Sequence, residues 1–117
     1  MSTSNYQPTT SYNLTATISS SGTTSGAIDL SGATLCGIIL PAAITGTAIS
    51  LQMSNDDSGT FVTVQDGAGS DLSLSVAASK YVPISNLALV AGLRFIKLVS
   101  NASEGAERVI TLVTRAV

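Results

Sequence analysis

Four aspartates surround two neighbouring polar turns and are the residues best suited to bind a metal: Asp56, Asp57, Asp66 and Asp71. Their carboxylate oxygens are of the type that Ca²⁺ prefers, and segment 66–71 resembles the glycine–aspartate nonapeptide of calcium-binding β-helices. The unit occurs once, lacks its first glycine and has Ser73 where a large apolar residue is required. We therefore predict solvated turn residues and no bound metal.

This chain has few side chains of the types that perform catalysis. Histidine is absent, which removes the commonest general base and the usual partner of a catalytic serine or cysteine. The only cysteine, Cys36, lies among Leu35, Ile38 and Ile39, so we predict a buried and unreactive thiol. A two-carboxylate glycosidase needs both acids in one cleft, but the carboxylates here fall mostly in turns. We predict that the chain is not an enzyme and uses no cofactor.

The clearest structural signal is the stretch 47–66, which contains the first of these polar turns. Apolar and polar residues alternate over 49–54, the period of two that indicates a half-buried β-strand. Turn-forming residues follow at 55–59, and residues 60–64 resume with β-branched and aromatic side chains. The stretch therefore predicts a β-hairpin with a long polar tip.

Short strands are predicted along the rest of the chain, separated by turns rich in glycine, serine and proline. Residues 34–40 are a nearly continuous apolar run, which is typical of a strand packed on both faces or at a subunit contact. Asn86 and Gly92 suit the two ends of one helical turn, with Leu87, Leu89 and Val90 expected to point inward. Residues 108–115 carry apolar groups on both faces, so this last strand is expected to be central. The other predicted strands are 12–18, 27–30, 72–76, 80–84 and 93–100.

The spacing of these strands indicates the fold class. About eight or nine strands with turns every 8–12 residues or so are typical of a β-sandwich or jelly roll. We predict an all-β chain with a single β-sandwich, jelly-roll-like domain over residues 12–117 and a flexible N-terminal arm over 1–11. The arm is either disordered or lies on a neighbouring subunit. Tyr6 and Tyr12 have amphipathic rings suited to such a contact, so both are candidate interface residues.

The composition indicates a surface that is covered by partners. Hydrophobic residues make up 44% of the chain, but only 4% are aromatic and 10% are charged. Aliphatic side chains must therefore fill the core, which leaves Ser, Thr, Gly and Asn to form much of the surface. A weakly charged surface suits permanent protein contacts, although a small domain that is merely rich in Ser and Thr would have the same composition.

Charge is divided unevenly along the chain. Residues 1–79 carry five aspartates and no Lys or Arg, a formal −5, and residues 80–117 carry five cations and two glutamates, a formal +3, which sum to the net −2. This division could orient subunit packing, or it could disappear once the strands interleave. The acidic balance and the lack of a basic patch predict that nucleic acid is not a partner.

Residues 33–51 are apolar enough to resemble a membrane span. Pro41 and two glycines interrupt them, and no Lys or Arg flanks them, so two buried strands joined by a turn are predicted instead. The N-terminus has neither the basic nor the apolar region of a signal peptide. We therefore predict no membrane partner.

From Leu35 to the C-terminus, the chain resembles a recurrent small protein encoded among the virion structural genes of tailed bacteriophages. The matching positions are packing and turn residues at Cys36–Ala42, Leu51–Ser54, Asp57–Phe61, Tyr81–Pro83, Gly92–Leu98 and Arg108–Arg115. Proteins of this kind are similar to capsid decoration (cement) proteins, which as β-rich trimers or dimers clamp neighbouring major-capsid subunits. The hairpin is also similar to discoidin-type jelly rolls that bind sugars or lipids, although the chain lacks their paired cysteines.

The resemblance implies a capsid decoration protein in the virion, on the capsid exterior. Such a protein binds the outer surface of the major capsid protein lattice and stabilises the head as a homo-oligomer, with a trimer favoured and a dimer possible. Its action would be mechanical, through apolar area buried between capsomers at roughly 25 cal/mol per Å² before association costs. Two alternatives stay open. One is a structural subunit of a head-fibre base, neck or tail, and the other is a carbohydrate-binding module for host adhesion.

Overall fold

The computed structural model describes residues 13–56 and 58–115. This part of the chain forms nine strands and a short 3₁₀ turn, and each strand lies within a predicted one, so the all-β prediction is confirmed. The strands are β1 (Asn13–Ile18), β2 (Ile28–Asp29), β3 (Thr34–Ile39), β4 (Ala48–Ser54), β5 (Val62–Thr63), β6 (Ser73–Ser75), β7 (Tyr81–Pro83), β8 (Phe95–Ser100) and β9 (Arg108–Arg115).

The strands form two antiparallel sheets packed as a sandwich. The first sheet has the order β1-β9-β3-β7, and the second has the order β2-β8-β4-β5, with β6 also pairing with β4. The chain changes sheet at each connection from β1 to β4 and again from β6 to β9. Because β5 and β6 follow one another along the same edge of β4, they act as one interrupted strand. The strand order is then that of an eight-stranded jelly roll, as predicted.

Alternation along the strands places one set of aliphatic side chains between the sheets. Ile49, Leu51, Ile96 and Leu98 of the second sheet are fully buried, and so is Ile110 of the first. The core cluster of the described residues contains no aromatic ring. Packing between branched aliphatic side chains therefore stabilises the sandwich, as the low aromatic content predicts.

The β-hairpin predicted at 47–66 is present and is formed by β4 and β5. Its register pairs Gln52 with Thr63 and Met53 with Val62. The last strand, β9, lies between β1 and β3, so the prediction of a central strand is also confirmed.

The helical turn predicted at 86–92 is a 3₁₀ turn over Leu87–Leu89. Asn86 caps it, because its Oδ1 accepts a hydrogen bond of 3.1 Å from the Ala88 N–H. Val90 is fully buried as predicted, but Leu87 is 45% exposed, so the inward orientation predicted for Leu87 is wrong. A turn of this length has three residues per turn and presents only one narrow side to the core.

The apolar stretch 33–51 supplies β3 and β4 together with the connection between them. These two strands lie in different sheets, and the connection between them, whose residues are mostly exposed or half-buried, links one layer to the other. The described residues include no helix long and apolar enough to cross a membrane.

The acidic and basic parts of the sequence interleave in the fold. The basic part contributes β8, which pairs with β4 from the acidic part. Arg94 also forms an ion pair with Asp29 at 3.1 Å. The charge division along the sequence therefore does not persist as two separate regions of the domain.

Thr114 offers a test of the core. It is fully buried on β9, and its Oγ1 has no hydrogen-bond partner among the described residues. A buried polar group without a partner costs about 1–3 kcal/mol, and Thr114→Val keeps the β-branched shape. This variant should raise the free energy of unfolding by about 1 kcal/mol in urea denaturation. The control Thr111→Val, on the outer side of the same strand, should change it little, and a less stable Thr114→Val variant would contradict the prediction.

Candidate interaction surface

The outer side of the first sheet carries almost no charge. Its side chains alternate with the buried ones along β9, and Arg115, at the end of that strand, is the one charged residue among the described outward-facing strand positions. We name this surface the uncharged face. It is formed by Thr15, Thr17, Gly37, Ile39, Tyr81, Pro83, Val109, Thr111 and Val113.

Three large apolar side chains of the uncharged face are exposed. The exposed fraction is 41% for Ile39, 50% for Tyr81 and 44% for Val109. Ile39 lies between Tyr81 on β7 and Thr111 on β9, so apolar surface continues across neighbouring strands. A partner that covers this surface would bury apolar area without removing an ionised group from water. These properties suit contact with another protein.

Tyr81 rests against β3 because position 37 has no side chain. A Cβ atom on Gly37 would lie 2.6 Å from Tyr81 Cε1. The Tyr81 hydroxyl donates a long hydrogen bond of 3.5 Å to the Cys36 carbonyl. Glycine within a strand often marks such a close approach, and here it lets an aromatic ring lie along the uncharged face.

The outer side of the second sheet carries cations above aromatic rings. Lys97 Nζ lies 4.5 Å from the centre of the Phe61 ring, and the Arg94 guanidinium lies 4.9 Å from that of Phe95. Arg94 also donates a hydrogen bond to Asp29, and this bond is the main cause of a lowered pKa for the Asp29 carboxyl. The two outer surfaces of the sandwich therefore differ, since cations and rings occupy one and almost no charge occupies the other.

Two aspartates of the polar turns bond to their own loops. Asp66 Oδ1 accepts a hydrogen bond of 2.8 Å from the Ala68 N–H, and Asp56 Oδ1 accepts one of 3.1 Å from the Ser58 N–H. Such Asx turns stabilise the loop conformation. Asp57 lies outside the described residues. Within them, no three potential metal-ligating side chains come together.

The other residues selected from the sequence have different outcomes. Tyr6 and Tyr12, the candidate interface residues, lie outside the described part of the chain, so their role stays a prediction. Cys36, predicted to be buried, is only partly buried, because a β-bulge interrupts the pairing of β3 with β9 at this residue. Its thiol contacts the Thr34 carbonyl oxygen at 3.5 Å.

Glu104 is the centre of a hydrogen-bond network at one end of the sandwich and is only 1% exposed. Its Oε1 accepts hydrogen bonds from the Thr45 N–H at 2.8 Å and from Arg108 Nε at 2.9 Å. Its Oε2 accepts bonds from the Gly46 N–H at 2.9 Å and from Ser100 Oγ at 2.8 Å. Both oxygens are therefore satisfied, and the charge is paired with a cation.

The network joins three loops. The side chain of Glu104 bonds to the β3–β4 loop, while its backbone bonds to the β1–β2 loop through Ser21 (2.7 Å) and Gly22 (2.9 Å). Gly46 is required at this point, because a Cβ atom there would overlap Ser100 Oγ and lie 3.2 Å from Glu104 Oε2. Glu104 thus holds together loops that are far apart in the sequence.

The electrostatics of Glu104 are those of a structural group. Burial alone would raise its pKa, but the hydrogen bonds from Thr45, Arg108, Ser100 and Gly46 outweigh burial and lower the pKa from 4.5 to about 2. The residue types around Glu104 do not predict this role, because segment 101–106 has the composition of a polar loop. The one signal was the spacing of four residues between Glu104 and Arg108.

A small cavity lies between β1 and the turn that follows β2. Its volume is about 110 Å³, and it is lined by Leu14, Asp29, Leu30 and Ser31. Pockets for small-molecule ligands usually measure about 300–1,000 Å³, so this cavity is too small for one. Comparisons of the chain with protein-family models, curated proteins and solved structures found no match.

The variant Glu104→Gln tests the network. In this variant an amide NH₂ group replaces one carboxylate oxygen, so a donor faces the groups that donated hydrogen bonds to that oxygen. The variant also leaves Arg108 without its carboxylate partner. Breaking a buried, hydrogen-bonded ion pair costs about 3–5 kcal/mol, so we expect a loss near 3 kcal/mol in urea denaturation. Glu107→Gln makes the same chemical change at an exposed position in the same loop and should have little effect. Equal losses in the two variants would contradict the assignment.

The lowered pKa of Glu104 also predicts a pH dependence of stability. Because the pKa falls from 4.5 to about 2 on folding, the carboxylate contributes its full stabilisation above about pH 4.5 and loses it as the pH falls towards 2. Thermal melts from neutral to strongly acidic pH should therefore show a larger loss for the wild type than for Glu104→Gln, which has no carboxyl at this position. Parallel pH profiles would argue against the prediction.

Proposed function

We propose that the chain is a structural subunit of a phage particle, a capsid decoration protein that packs on the outer surface of the major capsid protein lattice. The observation that carries the proposal is the uncharged face, a strand-built surface with exposed Ile39, Tyr81 and Val109. The phage assignment itself comes from the sequence resemblance, while the geometry supports a role in packing against protein. As in the sequence analysis, the acting form is expected to be a homo-oligomer.

The energetics of the uncharged face support packing as the mode of action. Contact removes apolar surface from water at roughly 25 cal/mol per Å². The side chains at this face are mostly β-branched or rigid and lose little rotamer freedom when covered. Because the strand positions of the face carry almost no charge, the desolvation cost that accompanies a buried ion does not arise. A decoration protein would stabilise the head in this way by bridging neighbouring subunits.

The carbohydrate-binding alternative receives less support from the geometry. Sugar-binding sites commonly use several open aromatic faces, yet Lys97 lies over the Phe61 ring and Arg94 over the Phe95 ring, which leaves Tyr81 as the one exposed aromatic residue of the described chain. The cavity beside Leu14 is too small for a ligand of that class. A jelly roll by itself does not decide the matter, since one fold supports many functions.

Particle stability tests the proposal. Particles that lack this protein are expected to release DNA at a lower temperature or lower salt stress, and adding back the purified chain should restore resistance. Hundreds of copies per particle would support a capsid coat, whereas a dozen or fewer would place the protein in a neck, tail or fibre base and overturn the decoration role.

A pair of variants identifies the binding surface. Val109→Lys places a charge at the uncharged face and should lower binding to stripped particles at least about tenfold, since a buried unpaired charge is costly. Thr63→Lys places the same charge at an exposed residue on the outer side of the second sheet, where Thr63 lies opposite Gln52, and it should bind normally. Binding is measured by cosedimentation with particles. Loss of binding in Thr63→Lys alone would show that the other side of the sandwich makes the contact.

A further inference from the structure

The free edge of β1 is unusual among the sheet edges of this domain. β1 pairs with β9 along all six of its residues, and no backbone hydrogen bond between described residues reaches its other side. About half of the N–H and C=O groups of an edge strand point away from its neighbour and stay available for a further strand. β1 therefore presents an edge long enough to accept one.

The other sheet edges are short or protected. At the opposite edge of the first sheet, β7 has three residues and ends in Pro83, which cannot donate a hydrogen bond. In the second sheet, β2 and β5 have two residues each and β6 has three. Short strands and prolines are the features by which proteins prevent edge-to-edge pairing. β1 has no proline, no bulge in its pairing and no charged side chain.

β1 and the loop that follows it are also uncharged, and Arg108, which lies opposite Ile18 on β9, is paired with Glu104. Residues 13–28 contain no Asp, Glu, Lys or Arg, and the next charged residue, Asp29, is paired with Arg94. When two identical surfaces meet across a two-fold axis, each charge lies near its own copy and is repelled by it. A stretch without charge avoids that repulsion, so this edge is compatible with itself.

We propose that β1 pairs antiparallel with β1 of a second copy of this chain, forming a two-fold dimer with one continuous sheet. Residues that face each other across an antiparallel pair point to the same side of the sheet, which limits the register. In the register centred on Ala16, each residue lies opposite one that points to the same side of the sheet, with Leu14 opposite Ile18 and Thr15 opposite Thr17. Inner residues then meet inner residues, and threonines meet on the outer side, a favourable cross-strand pair.

The dimer also accounts for two features beside β1. Leu14 is only half-buried, and the small cavity that it lines opens at the same edge of the sandwich. A second copy of β1 covers the exposed part of Leu14. It also joins two uncharged faces into a single surface of eight strands, twice the four strands of the first sheet. This inference goes beyond the proposed function, since the purified chain should dimerise without any capsid.

Two double variants of the full chain test the pairing and its register. Thr15→Lys/Thr17→Lys brings like charges together across the two-fold axis, and both side chains are exposed in the monomer, so folding should persist. Thr15→Lys/Thr17→Glu places a new ammonium opposite a new carboxylate of the partner. Sedimentation velocity over a range of concentrations, with circular dichroism as the control for folding, measures the outcome.

The wild type and Thr15→Lys/Thr17→Glu should sediment with twice the 11.8 kDa mass of one chain. Thr15→Lys/Thr17→Lys should raise the dissociation constant by about tenfold or more, and added salt should restore part of the affinity by screening. A monomeric wild type at every concentration, a trimer, or an undisturbed dimer in the double-lysine variant would overturn the inference. None of these results depends on binding to particles, so the inference and the proposed function can fail separately.

Discussion

The structure depends on holding two sheets of aliphatic side chains face to face while the chain repeatedly crosses between them. The buried cluster has no aromatic ring, so many small contacts between branched side chains stabilise the sandwich, and these require close alignment of the layers. The loops that cross between the sheets set that alignment. Glu104 bonds two of them to its own loop, through two side-chain hydrogen bonds to the β3–β4 loop and two backbone hydrogen bonds to the β1–β2 loop. The buried Glu104 carboxylate is therefore tolerated, because hydrogen bonds satisfy both of its oxygens at the point where loops join the two layers.

The sequence predicts the strands of this domain better than their partners. Alternation of apolar and polar residues locates β4 and β8, and turn chemistry locates the β4–β5 hairpin and the Asn86 cap. The pairing of strands is harder to predict, because β1 pairs with β9 from the other end of the chain, with Asn13 opposite Val113. Local pattern cannot specify so distant a partner. The jelly-roll order follows from the requirement that each strand bury one side, which only the assembled sheets satisfy.

The same distinction explains which site residues were missed. Glu104 lies in a polar loop, and its acceptor role depends on Gly46, 58 residues earlier in the chain. Leu87 is expected inside a helical turn and Cys36 among apolar neighbours, but a short 3₁₀ turn exposes the first and a β-bulge partly exposes the second. Backbone irregularities of this kind change where a side chain points without a clear signature in the residue types. The uncharged face, by contrast, could be anticipated from the low content of charged residues.

The placement of the few charged groups connects the fold to its proposed role. Asp29 and Arg94 are paired on the second sheet, Glu104 and Arg108 are paired between loops, and two aspartates are bonded within turns. These charged groups stabilise local structure, so few charged side chains remain on the outer side of the first sheet to oppose contact with other molecules. A soluble monomer normally protects such a sheet with lysines or prolines at its long edges. Because β1 and the strand positions beside it lack both, the first sheet is compatible with the proposed role, in which other protein surfaces cover it.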